Sequence, residues 1–576
     1  MKPTRTVGLF FAVLCACLGI PRAHAEPGFV YFNATVYTAD PERPRAEAIA
    51  VRGSTIVAVG TREDAIRALR GTQPPVGSDK WIDLRGRTML PGLIDAHGHL
   101  AGLGALRVGV VDLAGTTSYA EVIERIAARA AETPKGEWVL GRGWDNESWD
   151  NPDDQKALPT HDALSAAVPD HPVWLARVDG HAALANRAAM DAADISPETT
   201  SPDGGEVLRR DDGSLTGVFV DNAESLVERA IPAAARGDPE SMIRAAQQAC
   251  LSAGLTSVHD MGVHPATAAL YRDLSERGVL KLRVHAACPS AFAMRYFEEN
   301  EPYRSERFTY ASAKAYIDGA MGSRGAWLLA PYDDRPAYTE GERAGQPYTG
   351  LSVQEPAFIE ALARHGLEKG YQVFTHAIGD RGNREVLDAY ERAAKSTGRN
   401  LAAARFRVEH AQLLAPSDIP RFAELGVIAS MQPTHCTSDM RWVEDRVGTK
   451  RAAGAYAWAS LLNSGALIAG GSDFPVESHN PFLGFYAAIT RQNAEGMPDR
   501  GWRPEERMTR AQALRSMTLD AARGAFMETF TGSLTTGKRA DFIVINRDIM
   551  ACDPAEIPGT RVLQTFIDGE QVYLAD

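Results

Sequence analysis

The centre of the chain alternates short apolar segments with helical ones, and this alternation constrains the fold more than any other feature. The helical segments include EPAFIEALARHGLEKG, NREVLDAYERAAKS and PSDIPRFAELG. Parallel strands need long crossover connections, so eight such strands with intervening helices predict an α/β fold, a (β/α)8 TIM barrel. The candidate strands cover residues 92–96, 256–260, 281–287, 314–318, 372–375, 406–409, 427–431 and 467–470.

Both ends of the chain have a different pattern. Residues 26–90 and 530–576 contain short β-rich stretches, such as FVYFNATVYTA, AIAVRGSTIVAVG and VLQTFIDGEQVYL, with Gly and Asp between them. Each end alone has too few strands for independent stability. We therefore expect a small composite β-sandwich built from both ends, with the barrel domain at 91–529.

The regular spacing of the barrel breaks once, after the first strand. The interval of about 105–245 is too long for a single helix, and it contains a strand-like VWLARV and a hairpin-like GGEVLRRDDGSLTGVFV. We expect an insertion over the barrel mouth, where loops shape a substrate site. The barrel is therefore predicted to be distorted.

The first 25 residues have the pattern of a secretory signal peptide. A basic start precedes an apolar run at 7–20 and a small-residue cleavage site that ends at Ala25. A retained anchor helix and a lipoprotein anchor at LCAC are the disfavoured alternatives, the second because Cys15 stands where a small or aliphatic residue is expected. The sequence predicts a secreted, periplasmic protein.

The net charge of the chain limits the kinds of molecule that it is expected to bind. The formal net charge is −13, and cleavage after Ala25 would make it −16, which disfavours nucleic acid as a partner. No stretch after the leader approaches about 20 uninterrupted apolar residues, so we expect no stable membrane insertion. A small-molecule substrate is expected, and a homo-oligomer is left open.

Histidine and aspartate recur at the predicted strand ends. LIDAHGHL places two imidazoles at i and i+2, which point the same way on an extended strand. The carboxyl ends of barrel strands surround one mouth, so these side chains should converge. Such a nitrogen and oxygen set suits one or two divalent ions, with Zn²⁺ preferred. The residues are His97, His99, His376, His410 and Asp473.

Lys314 is a basic residue inside an apolar strand candidate. A buried lysine must be paired, neutralised or chemically altered. On the residues alone, an ammonium paired with Asp318 or Asp473 is the favoured interpretation. The alternative is carbamylation by CO2 to N6-carboxylysine, which would bridge two metal ions.

Several motifs together resemble the amidohydrolase superfamily. They are the H-x-H, K-x-x-x-D-G-x-x-G-S-R, T-H-A-I-G-D, the E-H pair and G-S-D-x-P, with GKRADFIVI near the carboxyl end. The resemblance is closest to the YtcJ-like branch, amidohydrolase family 3, which includes N-substituted formamide deformylases. It implies that the four histidines and Asp473 hold metal, that Lys314 is a carbamylated bridge, and that Asp473 is the general base.

These residues and the resemblance together predict a metal-dependent hydrolase that cleaves an amide or related C–N bond of a small molecule through a metal-activated water. Two alternatives stay open: an esterase or lactonase on the same scaffold, and a catalytically silent binding or regulatory protein. Further polar side chains are candidates for substrate contact near the mouth. They are Arg324, His181, Trp144, Gln432 and His435.

Overall fold

Eight parallel strands form a nearly closed barrel in sequence order, which confirms the predicted α/β barrel class. The computed structural model describes residues 28–575 except 71–79, 152–154, 156–157 and 339–343, so the predicted signal peptide lies outside the described residues. The barrel strands, first to eighth, are Leu93–Gly98, Leu255–Asp260, Arg283–Pro289, Phe308–Tyr316, Gln372–Ala377, Arg407–His410, Ile428–Met431 and Ile468–Gly470.

The ring closes between the end of the first strand and the loop after the eighth. Gly98 and Phe474 form an isolated parallel bridge. The Asp473 amide donates to the His97 carbonyl at 2.7 Å, and the His99 amide donates to the Phe474 carbonyl at 2.8 Å. His97 thus lies in the strand that closes the barrel, His99 directly follows that strand, and Asp473 lies in the loop after the eighth strand.

The fourth barrel strand corrects the predicted range of 314–318. It covers Phe308–Tyr316, and eight of its nine residues are buried. A strand buried on both faces has no apolar–polar alternation, so the sequence does not mark its start. Lys314 therefore lies near the end of this strand, and Asp318 lies beyond it.

Helices cover the outside of the barrel, and their apolar faces pack on its strands. In the helix Asp380–Thr397, for example, the buried side chains recur at helical spacing, and the chain turns at Gly398 with a positive φ of 66°. No helix among the described residues is long and apolar enough to cross a membrane. The barrel helices are Leu100–Val108, Pro239–Ser252, Pro265–Glu276, Ser290–Glu299, Pro356–Lys369, Asp380–Thr397, Leu401–Ala404, Ile419–Leu425, Pro433–Asp439, Val443–Arg451, Trp458–Asn463, Pro481–Thr490, Arg510–Ser516 and Leu519–Gly524.

The two chain ends form one eight-stranded sheet that curls on itself. The Tyr31 ring lies 5.5 Å from the Phe566 ring, although three strand spacings of about 4.8 Å separate their strands. The curled sheet encloses its own apolar core, as a small sandwich does. Its strands are Gly28–Tyr37, Arg45–Ala46, Ala48–Arg52, Thr55–Gly60, Lys80–Pro91, Phe542–Ile545, Val562–Ile567 and Glu570–Leu574.

A buried ion pair joins this end sheet to the barrel. Arg283, at the start of the third barrel strand, donates to both carboxylate oxygens of Asp541 at 2.7 and 2.9 Å. It also donates to Asp568 at 2.6 Å. The side chains of Arg283 and Asp541 are each 1 % exposed, so the pair is screened little by solvent.

The insertion lies between the helices Leu100–Val108 and Pro239–Ser252. It is a six-stranded sheet with its own apolar cores, and the predicted strand and hairpin within it are both present. The short helices Tyr119–Glu132, His161–Ala167, Arg187–Ala192 and Ser225–Glu228 belong to it. Its strands are Val111–Asp112, Val139–Trp144, Val173–Arg177, Ala182–Ala185, Gly205–Arg209 and Leu215–Asp221.

Candidate active site

The predicted histidine and aspartate residues converge at the carboxyl ends of the barrel strands. His97, His410 and Asp473 are buried, and one potential ligand atom from each lies within 4.8 Å of the others. The ring of His376 is centred 4.5 Å from that of His410. His99, whose side chain is 31 % exposed, lies at the edge of this group with Nε2 3.0 Å from Asp473 Oδ1.

Each of the four imidazoles has one ring nitrogen beside an oxygen acceptor, which leaves the other nitrogen for the centre of the site. Metal-ligating histidines are held in this way, because the outer hydrogen bond fixes both the tautomer and the ring orientation. The contacts are His97 Nδ1 to Glu409 at 2.5 Å, His99 Nδ1 to the Met261 carbonyl at 3.1 Å, His410 Nδ1 to Gln432 Oε1 at 2.9 Å, and His376 Nε2 to the Gly319 carbonyl at 3.5 Å.

Burial keeps three of these imidazoles neutral. It lowers the pKa of His97, His376 and His410 well below the usual value, and neighbouring positive charge lowers it further, from Lys314 in the case of His97. A neutral imidazole has the free lone pair that a metal ligand needs.

Asp473 supplies a charged oxygen to the same site. Burial acts to raise the pKa of this carboxyl, whereas a proton on the adjacent His97 or His99 lowers it well below its usual range. Its Oδ1 is buried without a hydrogen bond, and Oδ2 lies 3.7 Å from Nε2 of His435. The backbone of Asp473 has a positive φ of 63° and that of His410 a φ of 71°, which are strained values for residues other than glycine.

Lys314 is buried beside His97, and its Nζ lies 3.4 Å from His97 Nε2. Within the described part of the chain, no carboxylate lies within 4.0 Å of this ammonium. Asp318 instead accepts three backbone N–H groups, from Trp327, Ile378 and Gly379. The favoured expectation of a direct pair with Asp318 or Asp473 is therefore wrong, and burial lowers the pKa of Lys314 to about 8.

This set of residues fits a divalent metal ion. Imidazole lone pairs and an unpartnered carboxylate oxygen face one another in a buried space, an arrangement that is unfavourable without a cation between them. Nitrogen and oxygen donors of this kind suit Zn²⁺ and similar ions. A carbamylated Lys314 would add a second oxygen ligand.

Two lobes of one cavity meet at this centre. The larger lobe encloses about 680 Å³ and the smaller about 260 Å³. Both reach His181, His376, His410 and Asp473, and both are walled on one side by the insertion. A small molecule placed in either lobe would contact the candidate metal ligands.

Two of the predicted substrate residues line this cavity. His181 faces both lobes, and its Nδ1 lies 2.6 Å from Asp221 Oδ1. Although burial opposes it, this carboxylate raises the pKa of His181. His435 lines the smaller lobe, with its ring stacked 5.8 Å from that of His410.

The other three predicted substrate residues do not line either lobe of the cavity. Trp144 lies in the core of the insertion, 1 % exposed, and its Nε1 donates to the Leu175 carbonyl. Arg324 pairs with Asp334 at 2.8 Å and does not line either lobe. Gln432 orients His410, because its amide oxygen is used by that ring.

Glu409 is a site residue that sequence reasoning left unassigned. It is fully buried, contacts His97, and receives the Arg407 guanidinium at 2.7 and 2.9 Å. Two charged residues within the apolar strand FRVEH mark this arrangement in the sequence. Arg142, which lines the larger lobe, was also missed, because nothing in GRGW shows which way its side chain points.

Comparisons with known proteins agree with this geometry. The amidohydrolase family matches residues 80–573. The chain is 31 % identical to the amidohydrolase YtcJ of Bacillus subtilis, over 94 % of this chain and 99 % of that protein. It is 27 % identical to the N-substituted formamide deformylase of Arthrobacter pascens, over 94 % and 97 % of the two chains.

A solved structure shares the whole architecture. The structure of an uncharacterized metal-dependent hydrolase from Pyrococcus horikoshii has a TM-score of 0.71 and 25 % identity, and the match covers 92 % of this chain and 99 % of that one. The resemblance read from the sequence motifs is thus confirmed. The chain belongs to the amidohydrolase family.

Proposed function

We propose that this protein is a metal-dependent hydrolase that cleaves an amide or related C–N bond of a small molecule. The observation that carries the proposal is the convergence of buried imidazole nitrogens on the carboxylate of Asp473 at the barrel mouth. The name of the Arthrobacter relative supports C–N chemistry, and the description of the Pyrococcus structure supports metal dependence.

The residues divide into ligands and a proton carrier. His97, His99, His376 and His410 would hold the ion together with Lys314 and Asp473, and the bound ion would polarise the carbonyl and acidify a water. An ionised Asp473 can accept a proton as the water oxygen bonds to the carbonyl carbon. The C–N bond then breaks, and Asp473 returns the proton to the leaving amine.

Metal analysis combined with a substrate panel tests this function. We expect purified protein to hold one or two equivalents of zinc or another divalent ion and to hydrolyse members of a panel of formamides, N-acyl amino acids and dipeptides. Asp473→Asn should reduce kcat by about 100-fold or more and hold the ion more weakly than the parent does, whereas His97→Ala should lose metal. Faster cleavage of matched esters would favour an esterase or lactonase. Ligand capture without turnover would favour a binding protein.

We further propose that Lys314 is carbamylated. In this step the ammonium first loses one proton, and the neutral amine then adds to CO2 and releases a second proton, so a buried cation becomes an anionic carbamate. The buried position, the pKa of about 8 and the distance of Nζ from every described carboxylate favour this chemistry. A carbamate resonance in the ¹³C NMR spectrum of protein supplied with labelled bicarbonate is expected, and Lys314→Ala should lack it. An identical spectrum of the variant would overturn the proposal.

Secretion to the periplasm is also proposed, on the pattern of residues 1–25. The expected result is a periplasmic protein whose amino terminus is Glu26, which cell fractionation and terminal sequencing would measure. Full-length protein in the cytoplasm would contradict it.

A further inference from the structure

The larger lobe of the cavity has a charged wall supplied by the insertion. Arg142 comes from the strand Val139–Trp144, and Glu224 and Glu228 come from the turn and helix that follow the strand Leu215–Asp221. Among the described residues, none of these three side chains has an opposite charge within 4.0 Å. In the part of the chain that the structure describes, the Arg142 guanidinium donates one hydrogen bond, a long one of 3.4 Å to the Val178 carbonyl.

Two atoms of this wall are sealed from solvent with no hydrogen-bond partner, Nε of Arg142 and Oε1 of Glu224. Buried polar atoms in folded proteins are nearly always paired, so unpaired atoms on two side chains that line a cavity point to partners that a ligand supplies when these side chains turn towards it. The wall lines the same lobe as His97, His376 and Asp473. A single small molecule in this lobe would therefore contact the wall at one end and the metal centre at the other.

Apart from Asp473 at the metal centre, the other carboxylates of the lobe already have partners. The two carboxyls that remain, Glu224 and Glu228, share the wall with one guanidinium, so the wall has one negative charge in excess when both carboxyls are ionised. The partnered groups are Asp179 with Arg177 at 2.5 Å, Asp221 with His181 at 2.6 Å, and Asp260 with the Tyr271 hydroxyl at 2.7 Å.

We propose that Glu224 and Glu228 bind a cationic group of the substrate, an ammonium or guanidinium, at the end of the molecule away from the scissile bond. Arg142 offsets one carboxylate, so the wall is matched to a monocation. The proposal rests on the proposed hydrolase function and names its substrate class: small amides that carry a basic group. Burial raises the pKa of both carboxyls, and a bound cation would restore their charge.

Three substrates of equal length test the charge preference. They are N-(4-aminobutyl)formamide, which is cationic, N-pentylformamide, which is neutral, and 4-formamidobutanoate, which is anionic. A charge-assisted contact of this kind is expected to raise kcat/KM for the cationic compound by about 10- to 100-fold over the neutral one. Equal rates would overturn the proposal. A preference for the anionic compound would overturn it in favour of carboxylate binding by Arg142.

Isosteric variants test whether Glu224 and Glu228 cause the preference for the cationic substrate. The double variant E224Q/E228Q should reduce the cationic-to-neutral ratio to near 1. Because the ratio compares two substrates on the same variant, a partly unfolded preparation does not change it. E124Q/E132Q, at two exposed sites on the insertion with the same change in charge, should keep the parent ratio. A ratio that survives in E224Q/E228Q would overturn the assignment.

Calorimetric titration with 1,4-diaminobutane separates this proposal from the proposed function. If no amide is cleaved but the diamine binds the parent protein and not E224Q/E228Q, the subsite stands and the hydrolase function fails. If amides are cleaved without charge preference and the diamine does not bind, the function stands and the subsite fails. Absence of both turnover and binding overturns both.

Discussion

Glu409 lies between two functional neighbours, with His97 on one side and the Arg407 guanidinium on the other. Its charge balances Arg407 in a place with no exposure to solvent, and its oxygen fixes the His97 ring. The same carboxylate thus neutralises the buried Arg407 charge and orients the His97 ring. The arrangement is directional, because only one ring nitrogen of His97 remains for the centre of the site.

Glu409→Gln should weaken metal binding. The amide oxygen can still accept from His97 Nδ1, but the Arg407 charge loses its partner, and loss of such outer contacts costs about 10- to 100-fold in metal affinity. Competition with a chromogenic chelator measures the change. Glu424→Gln, at an exposed site on the helix Ile419–Leu425, is the matched control and should bind metal as the parent does. Equal affinities of the two variants would contradict the role given to Glu409.

At the residue scale, the sequence predicts where a residue lies in the barrel better than it predicts which way its side chain points. His97, His376 and His410 could be placed because strand ends of a barrel share one mouth. Trp144 and Arg324 could not, because the side on which a loop or sheet residue packs depends on partners distant in sequence, such as the Leu175 carbonyl and Asp334.

At the scale of the elements, the end sheet meets the barrel through residues that are distant in the sequence. Arg283 and Asp541, which form a buried ion pair between the two, are 258 positions apart. All eight barrel strands could be predicted, because apolar runs alternate with turn residues. The start of Phe308–Tyr316 could not, because a strand buried on both faces has no alternation to mark its limits.

Asp541→Ala should destabilise the unit that contains the end sheet by about 3–5 kcal/mol, because it leaves the buried Arg283 charge unpaired. Chemical denaturation followed by circular dichroism measures the loss. The double replacement R283M/D541L should recover much of it. An unchanged midpoint for Asp541→Ala would contradict the argument.

This ion pair also has a pH dependence with a defined sign. Burial acts to raise the pKa of Asp541, but Arg283 holds it below the ordinary 3.8. A carboxyl with a lowered folded-state pKa stabilises the fold above its unfolded value, and the contribution is lost as the pH falls below that value. The acid-induced loss of stability should therefore be smaller in R283M/D541L than in the parent.

At the scale of the whole molecule, three parts meet at the candidate active site: the carboxyl ends of the barrel strands, the insertion, and the first barrel strand, which continues from the end sheet. The two-lobed cavity lies where they meet, and no part encloses it alone. The existence of the insertion was predictable from a break in spacing. Its charged wall was not, because the inward turn of Arg142 and Glu224 depends on how the finished sheet lies over the barrel.

Removal of metal should lower the thermal stability of the molecule. An ion that binds only the folded chain stabilises it by about 2.7 kcal/mol when its concentration is a hundredfold above Kd. Differential scanning calorimetry with and without a chelator should show a lower Tm after chelation, and His97→Ala should show no further decrease. A parent Tm that does not respond to chelation would contradict metal binding in the fold.

The way the barrel closes has a kinetic consequence. No continuous ladder joins the last strand to the first, and the join consists of the amides of Asp473 and His99 beside the Gly98–Phe474 bridge. The seam of the ring and the candidate ligands are thus the same short segments. Transient opening of this seam would separate His97 from Asp473. The rate of deuterium uptake at the His99 and Asp473 amides should therefore set an upper limit on the rate at which the ion binds and leaves through this opening.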